Sequence, residues 1–169
     1  FPVTAYLNGH WVIERQLQRR GIAYRMDDNS FVSVEDPKAL QTISRKIYEN
    51  GGYVSSVCHG AAGLLNIKLS NGSLLLKGKK VTGYSNEEEK LAELDKFVPF
   101  LTETELVSRG AIYKKADKPW ASFAVEDTRL VTGQNSASGG AVADLLITAL
   151  KMNIEIYEDR GEQRGSRNA

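Results

Sequence analysis

The reading of this chain turns on the stretch Gly51-Gly52-Tyr53-Val54-Ser55-Ser56-Val57-Cys58-His59-Gly60-Ala61-Ala62-Gly63-Leu64. Tyr53 to Val57 carries no charge and is framed by glycines on one side and a turn on the other, which marks a short strand buried in a parallel sheet. Helical composition resumes at Ala61, so the chain must turn sharply at Cys58-His59-Gly60. A side chain on such a corner is thrust out at the carboxyl end of the sheet, close to backbone N–H groups and the positive end of the next helix. Those groups favour thiolate over thiol, so the corner predicts a Cys58 of lowered pKa in an open, positively polarised hollow. The backbone N–H groups of His59 and Gly60 are placed to hold an oxyanion formed when the sulfur adds to a carbonyl. By residue type alone, a lone cysteine at a strand end is more often inert packing, and His59 a surface turn residue.

Outward from this corner the chain alternates helices and strands. Upstream, Asp36-Pro37 reads as a helix start, Leu40, Ile43, Ile47 and Tyr48 as its apolar stripe, and Asn50-Gly51-Gly52 as its stop. Downstream, Ser73 to Leu76 and Lys80 to Thr82 read as strands around Lys77-Gly78-Lys79. Asn86 opens a helix whose Glu87, Glu88 and Glu89 suit the positive end of its dipole. Thr102 to Val107 is helical and Gly110 ends it. Ile112-Tyr113, Phe123 to Val125 and Leu130 to Thr132 are strand candidates. Ser138 to Met152 forms the last helix, with Ala141, Ala143, Leu145, Leu146 and Leu150 available for packing and Asn135 and Ser138 as its caps. The order predicts an α/β sandwich. The first 34 residues read differently: a helix from Trp11 to Arg20 stopped by Gly21, then strands Ile22 to Met26 and Ser30 to Val34 around Asp27-Asp28-Asn29. The division expected is one domain over residues 1–157, its first 34 residues atypical, and a charged tail over residues 158–169.

Composition bounds the function. The 169 residues suffice for one domain with a real core, and 22 basic against 21 acidic side chains leave a net charge of +1. That balance supplies no field for a polyanion, so nucleic acid is not an expected partner. The apolar runs Leu64 to Leu76 and Ala141 to Leu150 fall short of the ~20 residues of a membrane helix. No initiator Met, basic leader or cleavage site is visible before Phe1-Pro2-Val3. A single cysteine excludes an internal disulfide and a multi-cysteine zinc cage. A cytoplasmic protein with no membrane association is the simplest expectation.

Ser56-Val57-Cys58-His59-Gly60-Ala61-Ala62-Gly63-Leu64 resembles the nucleophile elbow of the ThiJ/PfpI superfamily, which shares the class I glutamine amidotransferase-like fold. The likeness extends through Leu40-Gln41, Ile47 to Gly52, Lys77 to Tyr84, Glu87-Glu88-Glu89, Val98 to Leu101, Gly110 to Tyr113, Trp120 and Leu130 to Ser138. The nearest branch is that of the heat-shock chaperone and glyoxalase III-like proteins. The resemblance implies a flavodoxin-like three-layer sandwich with a mostly parallel sheet. It implies that Cys58 is the nucleophile and His59 its proton-shuttling neighbour, acting on α-oxoaldehydes such as methylglyoxal to give hydroxy acids without glutathione. It further implies a homodimer with no cofactor and no metal; Trp120 and Gln134-Asn135 are given pocket or structural roles only. A stress chaperone or redox sensor of the same fold is the alternative. Glutaminase activity is disfavoured, because no His follows His59.

The amino-terminal part departs from the family pattern. Members deliver a glutamate against the cysteine from an early loop and an oxyanion-hole amide from a Gly-Gly-His-Gly loop. Here Asn8-Gly9-His10 is a faint echo of that loop, and Glu14, with Glu35 second to it, is the candidate acidic partner, neither in the family's context. The sheet is therefore expected to lack strands on that side, leaving an apolar edge. A fragment, a fusion, a chain with segments left out and a sheet completed by a partner all fit that pattern.

Overall fold

The computed structural model describes residues 4–6, 24–26, 32–34 and 37–151. At its centre is strand β4 (Val54–Val57), whose four residues are all buried. It pairs in parallel with β1 (Thr4–Tyr6) on one side and with β8 (Leu130–Gly133) on the other, Thr4 and Leu130 both lying opposite Val54. Strand β7 (Ala124–Asp127) runs antiparallel beside β8 and completes the order β1-β4-β8-β7. The nucleophile strand is thus flanked on both sides. The neighbour on that side is β1, formed from a stretch to which the residue pattern assigned no element, and among the described residues it is the edge of the sheet.

The sheet alternates its side chains between two cores, as the two-residue period of a strand requires. Val54 and Leu130 face a cluster with Leu40, Tyr48, Leu64, Leu76 and Leu106, whereas Val57 and Val131 face one with Tyr84, Val142 and Leu146. Helix α1 (Pro37–Glu49) and the segment after β4 cover the first face; a helix over residues 139–151, here α4, covers the second. Layers on both faces of a mostly parallel sheet make the expected α/β sandwich. A fully buried leucine such as Leu64 or Leu130 stabilises it by about 1.5–3 kcal/mol.

Local chemistry sets the ends of the elements. Helix α1 stops where Gly51 takes φ 84°, with the Gly52 N–H donating to the Ile47 carbonyl at 2.8 Å. The helix buries Leu40, Ser44 and Tyr48, with Ile43 and Ile47 only half-buried, so the core-facing stripe includes a serine the pattern had passed over. In α4 the buried positions are Val142, Leu146 and Ala149, not the alanines at 141 and 143. The antiparallel pair β2 (Tyr24–Met26) and β3 (Val32–Val34) matches the expected hairpin; the helix expected from Trp11 to Arg20 and the tail from Glu158 lie outside the described residues. Strand β5 (Lys80–Val81) pairs in parallel with β6 (Ile112–Tyr113) and not with residues 73–76, where Leu74 instead bridges to Lys68. Helix α2 (Asn86–Leu91) and helix α3 (Thr102–Ser108) follow β5. Among the described residues no helix is long and apolar enough to cross a membrane.

Candidate active site

Strand β4 ends at Val57, and Cys58 turns the chain with φ 60°, a left-handed backbone conformation that costs a non-glycine residue about 1–3 kcal/mol. A seven-residue 3-10 segment, Cys58–Leu64, follows it without a side-chain cap. Ala61 and Leu64 of that segment are buried in the core, and the Tyr84 N–H donates to the Cys58 carbonyl at 3.3 Å. Packing on both flanks of the corner therefore holds the strained residue in place.

From this corner three side chains line up. The Cys58 Sγ lies 3.5 Å from His59 Nδ1, and His59 Nε2 lies 2.9 Å from Glu89 Oε2. In the tautomer that places the ring proton on Nε2, that proton is donated to the Glu89 carboxylate and Nδ1 is the acceptor for the S–H. The Tyr84 ring packs against the imidazole, 4.2 Å between centroids at 34°. Glu89 is buried to 1% exposure in α2, and among the described residues its second oxygen, Oε1, has no hydrogen-bond partner. This is the order of nucleophile, base and orienting carboxylate, reached here by adjacent residues and one long-range contact.

The neighbouring carboxylate is handled differently. Glu88 is fully buried, and its Oε1 accepts from the Trp120 N–H at 2.8 Å and the Asn135 Nδ2 at 2.7 Å. Its Oε2 accepts from the Ser85 N–H at 3.0 Å and the Ser85 Oγ at 2.8 Å, while the Glu88 N–H donates back to Ser85 Oγ, a capping box that starts α2. Burial pushes its pKa up, but the hydrogen bonds from Asn135, Ser85 and Trp120 outweigh it and hold the carboxyl below its ordinary value.

The thiol does not follow the sequence expectation. Cys58 is 4% exposed, and desolvation pushes its pKa up to about 11, against the pull of the His59 and Ser136 backbone N–H groups, with the charges of Glu88 and Glu89 pushing the same way as burial. The physical reason is burial first, with two carboxylates nearby adding to it: the corner is packed into the core and leads into a short 3-10 segment, not into a long helix in an open hollow. The resting group is a buried thiol that needs a base.

Comparison with known proteins places this arrangement. No family model matches the chain. It is 37% identical over 121 residues to glyoxalase 3 of Candida albicans, covering 69% of this chain and 51% of that protein. It is 40% identical over 124 residues to the glutathione-independent glyoxalase HSP31 of Saccharomyces cerevisiae, covering 68% and 52%. The crystal structure of glyoxalase III from Candida albicans superposes with a TM-score of 0.61 at 38% identity, over 66% of this chain and 49% of that one. The chain belongs to the ThiJ/PfpI superfamily, in its glyoxalase III-like branch. It spans about half the length of the curated relatives it matches.

Within this ThiJ/PfpI chain, the structure brings together Cys58 and His59, as the sequence reading expected, and adds Glu89, which that reading gave only a dipole role. Glu14 and Glu35 lie outside the described residues. A signal for the missed carboxylates was present: Ser85-Asn86-Glu87-Glu88 has the spacing of a capping box, which turns Glu88 inward and leaves Glu89 on the adjoining face. Gln134 is buried and its Oε1 accepts from the Ala116 N–H at 2.8 Å, a structural role. Asn135 and Ser138 cap the turn Ser136–Ser138 that leads into α4. Among the described residues no group of three His, Cys, Asp or Glu side chains could hold a metal ion.

Proposed function

We propose that the chain carries the nucleophilic centre of a glutathione-independent glyoxalase that converts methylglyoxal-type α-oxoaldehydes to 2-hydroxy acids, with Cys58 as nucleophile, His59 as proton carrier and Glu89 as the group that orients His59. The observation that carries this reading is the line from Sγ to Nδ1 at 3.5 Å and from Nε2 to Glu89 at 2.9 Å. His59 takes the S–H proton as the sulfur adds to the aldehyde carbon, giving a hemithioacetal. The backbone N–H groups of His59 and Gly60 receive the aldehyde oxygen during that addition. The C1 hydrogen then leaves as a proton, and a proton is delivered to C2, which leaves a thioester at C1 and a hydroxyl at C2. Water hydrolyses the thioester, releasing the hydroxy acid and the free thiol, so the net change is addition of one water to the oxoaldehyde.

A small aldehyde is the substrate class, and the mechanism draws on no cofactor. A homodimer in the cytoplasm and a single ThiJ/PfpI-like domain over residues 1–157 complete the reading taken from the family; a non-enzymatic stress chaperone of the same fold is an alternative. A redox-sensing role is the weaker alternative, because a protonated, buried thiol reacts slowly with peroxide. The test is consumption of methylglyoxal by the 169-residue chain without added thiol. Cys58→Ser abolishes consumption; turnover unchanged in that variant rejects the assigned nucleophile. Light scattering checks the dimer.

A further inference from the structure

His59 serves as a base only while its ring stays turned with Nδ1 toward the sulfur. The contacts at Nδ1 and Nε2 lie in the plane of the imidazole, and two such contacts do not fix rotation about the line that joins them. A contact on the face of the ring does. Tyr84 makes one, its ring 4.2 Å from the imidazole between centroids and tilted by 34°. It is itself buried in the cluster of Val57, Val131 and Val142, so its own ring has little room to turn. The backbone of the same residue reaches the other half of the pair. Its N–H donates to the Cys58 carbonyl at 3.3 Å, on the residue whose φ of 60° turns the corner.

The stretch that carries Tyr84 is clamped on either side of the chain. The Thr82 N–H donates to Thr132 Oγ1 at 2.8 Å, and the Gly83 carbonyl accepts from the Tyr113 hydroxyl at 2.7 Å. A Cβ at Gly83 would lie 2.8 Å from the Ala61 Cβ, so this stretch presses on the segment that begins at Cys58 and leaves no room for a side chain between them. Ser85 then starts α2, which brings Glu89 to His59 Nε2. One short run thus delivers a ring to the face of His59 and a carboxylate to its edge. We propose that Tyr84 is a positioning residue for the reaction: its ring holds the plane of His59 and its N–H braces the turn at Cys58, so that Nδ1 and the sulfur stay in line. The proposal rests on the reading of Cys58 and His59 as the reacting pair. It uses the ring of Tyr84 and not its hydroxyl.

The test compares the 169-residue parent chain with Tyr84→Phe, which keeps the ring, and Tyr84→Leu, which keeps apolar bulk without one. Tyr84→Leu lowers kcat by about 10- to 100-fold with KM within about twofold, the pattern of a displaced base, and Tyr84→Phe keeps kcat within about threefold. The contact itself is read by proton NMR, with His10→Gln used for assignment. The aromatic ring current moves the carbon-bound ring protons of His59 upfield in the parent and in Tyr84→Phe, and that displacement is lost in Tyr84→Leu. A folded Tyr84→Leu with the parent's kcat overturns the proposal, as does a Tyr84→Phe that loses as much as Tyr84→Leu. Where Tyr84→Leu does not fold, the other two chains decide. Upfield His59 protons and matching kcat in both support the proposal; protons at the position of free histidine in the parent overturn it. The rate of Cys58 alkylation by iodoacetamide keeps the two readings apart. If the parent consumes no methylglyoxal, the glyoxalase reading fails. Alkylation slowed in Tyr84→Leu and restored in Tyr84→Phe then still supports the positioning role, and a rate in Tyr84→Leu equal to or above the parent's overturns it.

Discussion

Two adjacent parallel strands, β4 and β8, end at the same side of the sheet, and their corners are built in opposite ways. Both strands are buried along their four residues, and both run into a 3-10 turn. After β8, Asn135 and Ser138 form a reciprocal capping box: the Asn135 side chain accepts from Ala137 N–H at 3.1 Å, and Ser138 Oγ accepts from the Asn135 N–H at 3.2 Å and the Phe123 N–H at 3.1 Å. After β4 there is no side-chain cap, the first residue is strained, and the side chain left at the corner is a buried thiol facing an imidazole. The β8 corner is held by side-chain caps and lends its Ser136 N–H to the sulfur; the β4 corner has no side-chain cap and carries the thiol itself.

The sharpest way to break this contrast is to change the reacting corner and watch turnover. Cys58→Ser removes the nucleophile, so glutathione-independent consumption of methylglyoxal falls to the buffer rate, while the urea midpoint moves little. Next in size is Glu89→Gln, which keeps the shape of the side chain but weakens the anchor on His59. A general base that loses its orienting charge loses about 10²- to 10⁴-fold in rate, read from kcat with folding confirmed by circular dichroism.

The thiol also sharpens the contrast through pH. Its folded pKa of about 11 lies above the value for an unfolded chain, so the unfolded state loses its proton first as pH rises. The stability this contributes is complete below about pH 8.5 and is lost as pH climbs toward the folded value, a decline on the order of 3 kcal/mol. Denaturant titrations across that window show a shallower decline in Cys58→Ser than in the parent chain. The smallest effect belongs to the other corner. Ser138→Ala removes a cap, costs about 0.5–2 kcal/mol of stability by urea titration, and leaves kcat within about twofold.

What the residues alone disclosed divides along the same line. The capped corner was legible, since Asn135 and Ser138 have the types and spacing that caps require. The elbow at Cys58 was legible as a place, from the uncharged strand and the small residues after it, yet its electrostatics were not. Lowered pKa was the expectation because backbone donors are local in sequence, whereas burial, the largest effect, and the charges of Glu88 and Glu89, which push the same way, come from packing with other parts of the chain. Glu89 itself was hidden by its neighbours: three glutamates at a helix start look like a solvated acidic turn, and only packing decides which two turn inward. Strand β1 was missed because three residues are too few to show a period, and its partner lies across the chain. The pairing of β5 with β6, and not with residues 73–76, reflects the same limit, because register is chosen by the shared core and not by nearness along the chain.

The claim on which this account rests is that His59 faces the sulfur with an unprotonated Nδ1, its proton on Nε2 and directed to Glu89. Nitrogen-15 chemical shifts of the histidine rings at neutral pH test it directly, with His10→Gln used to assign the two histidines. The account predicts a neutral His59 ring protonated on Nε2 alone. A ring protonated on Nδ1, alone or together with Nε2, would mean that the sulfur has no base to give its proton to.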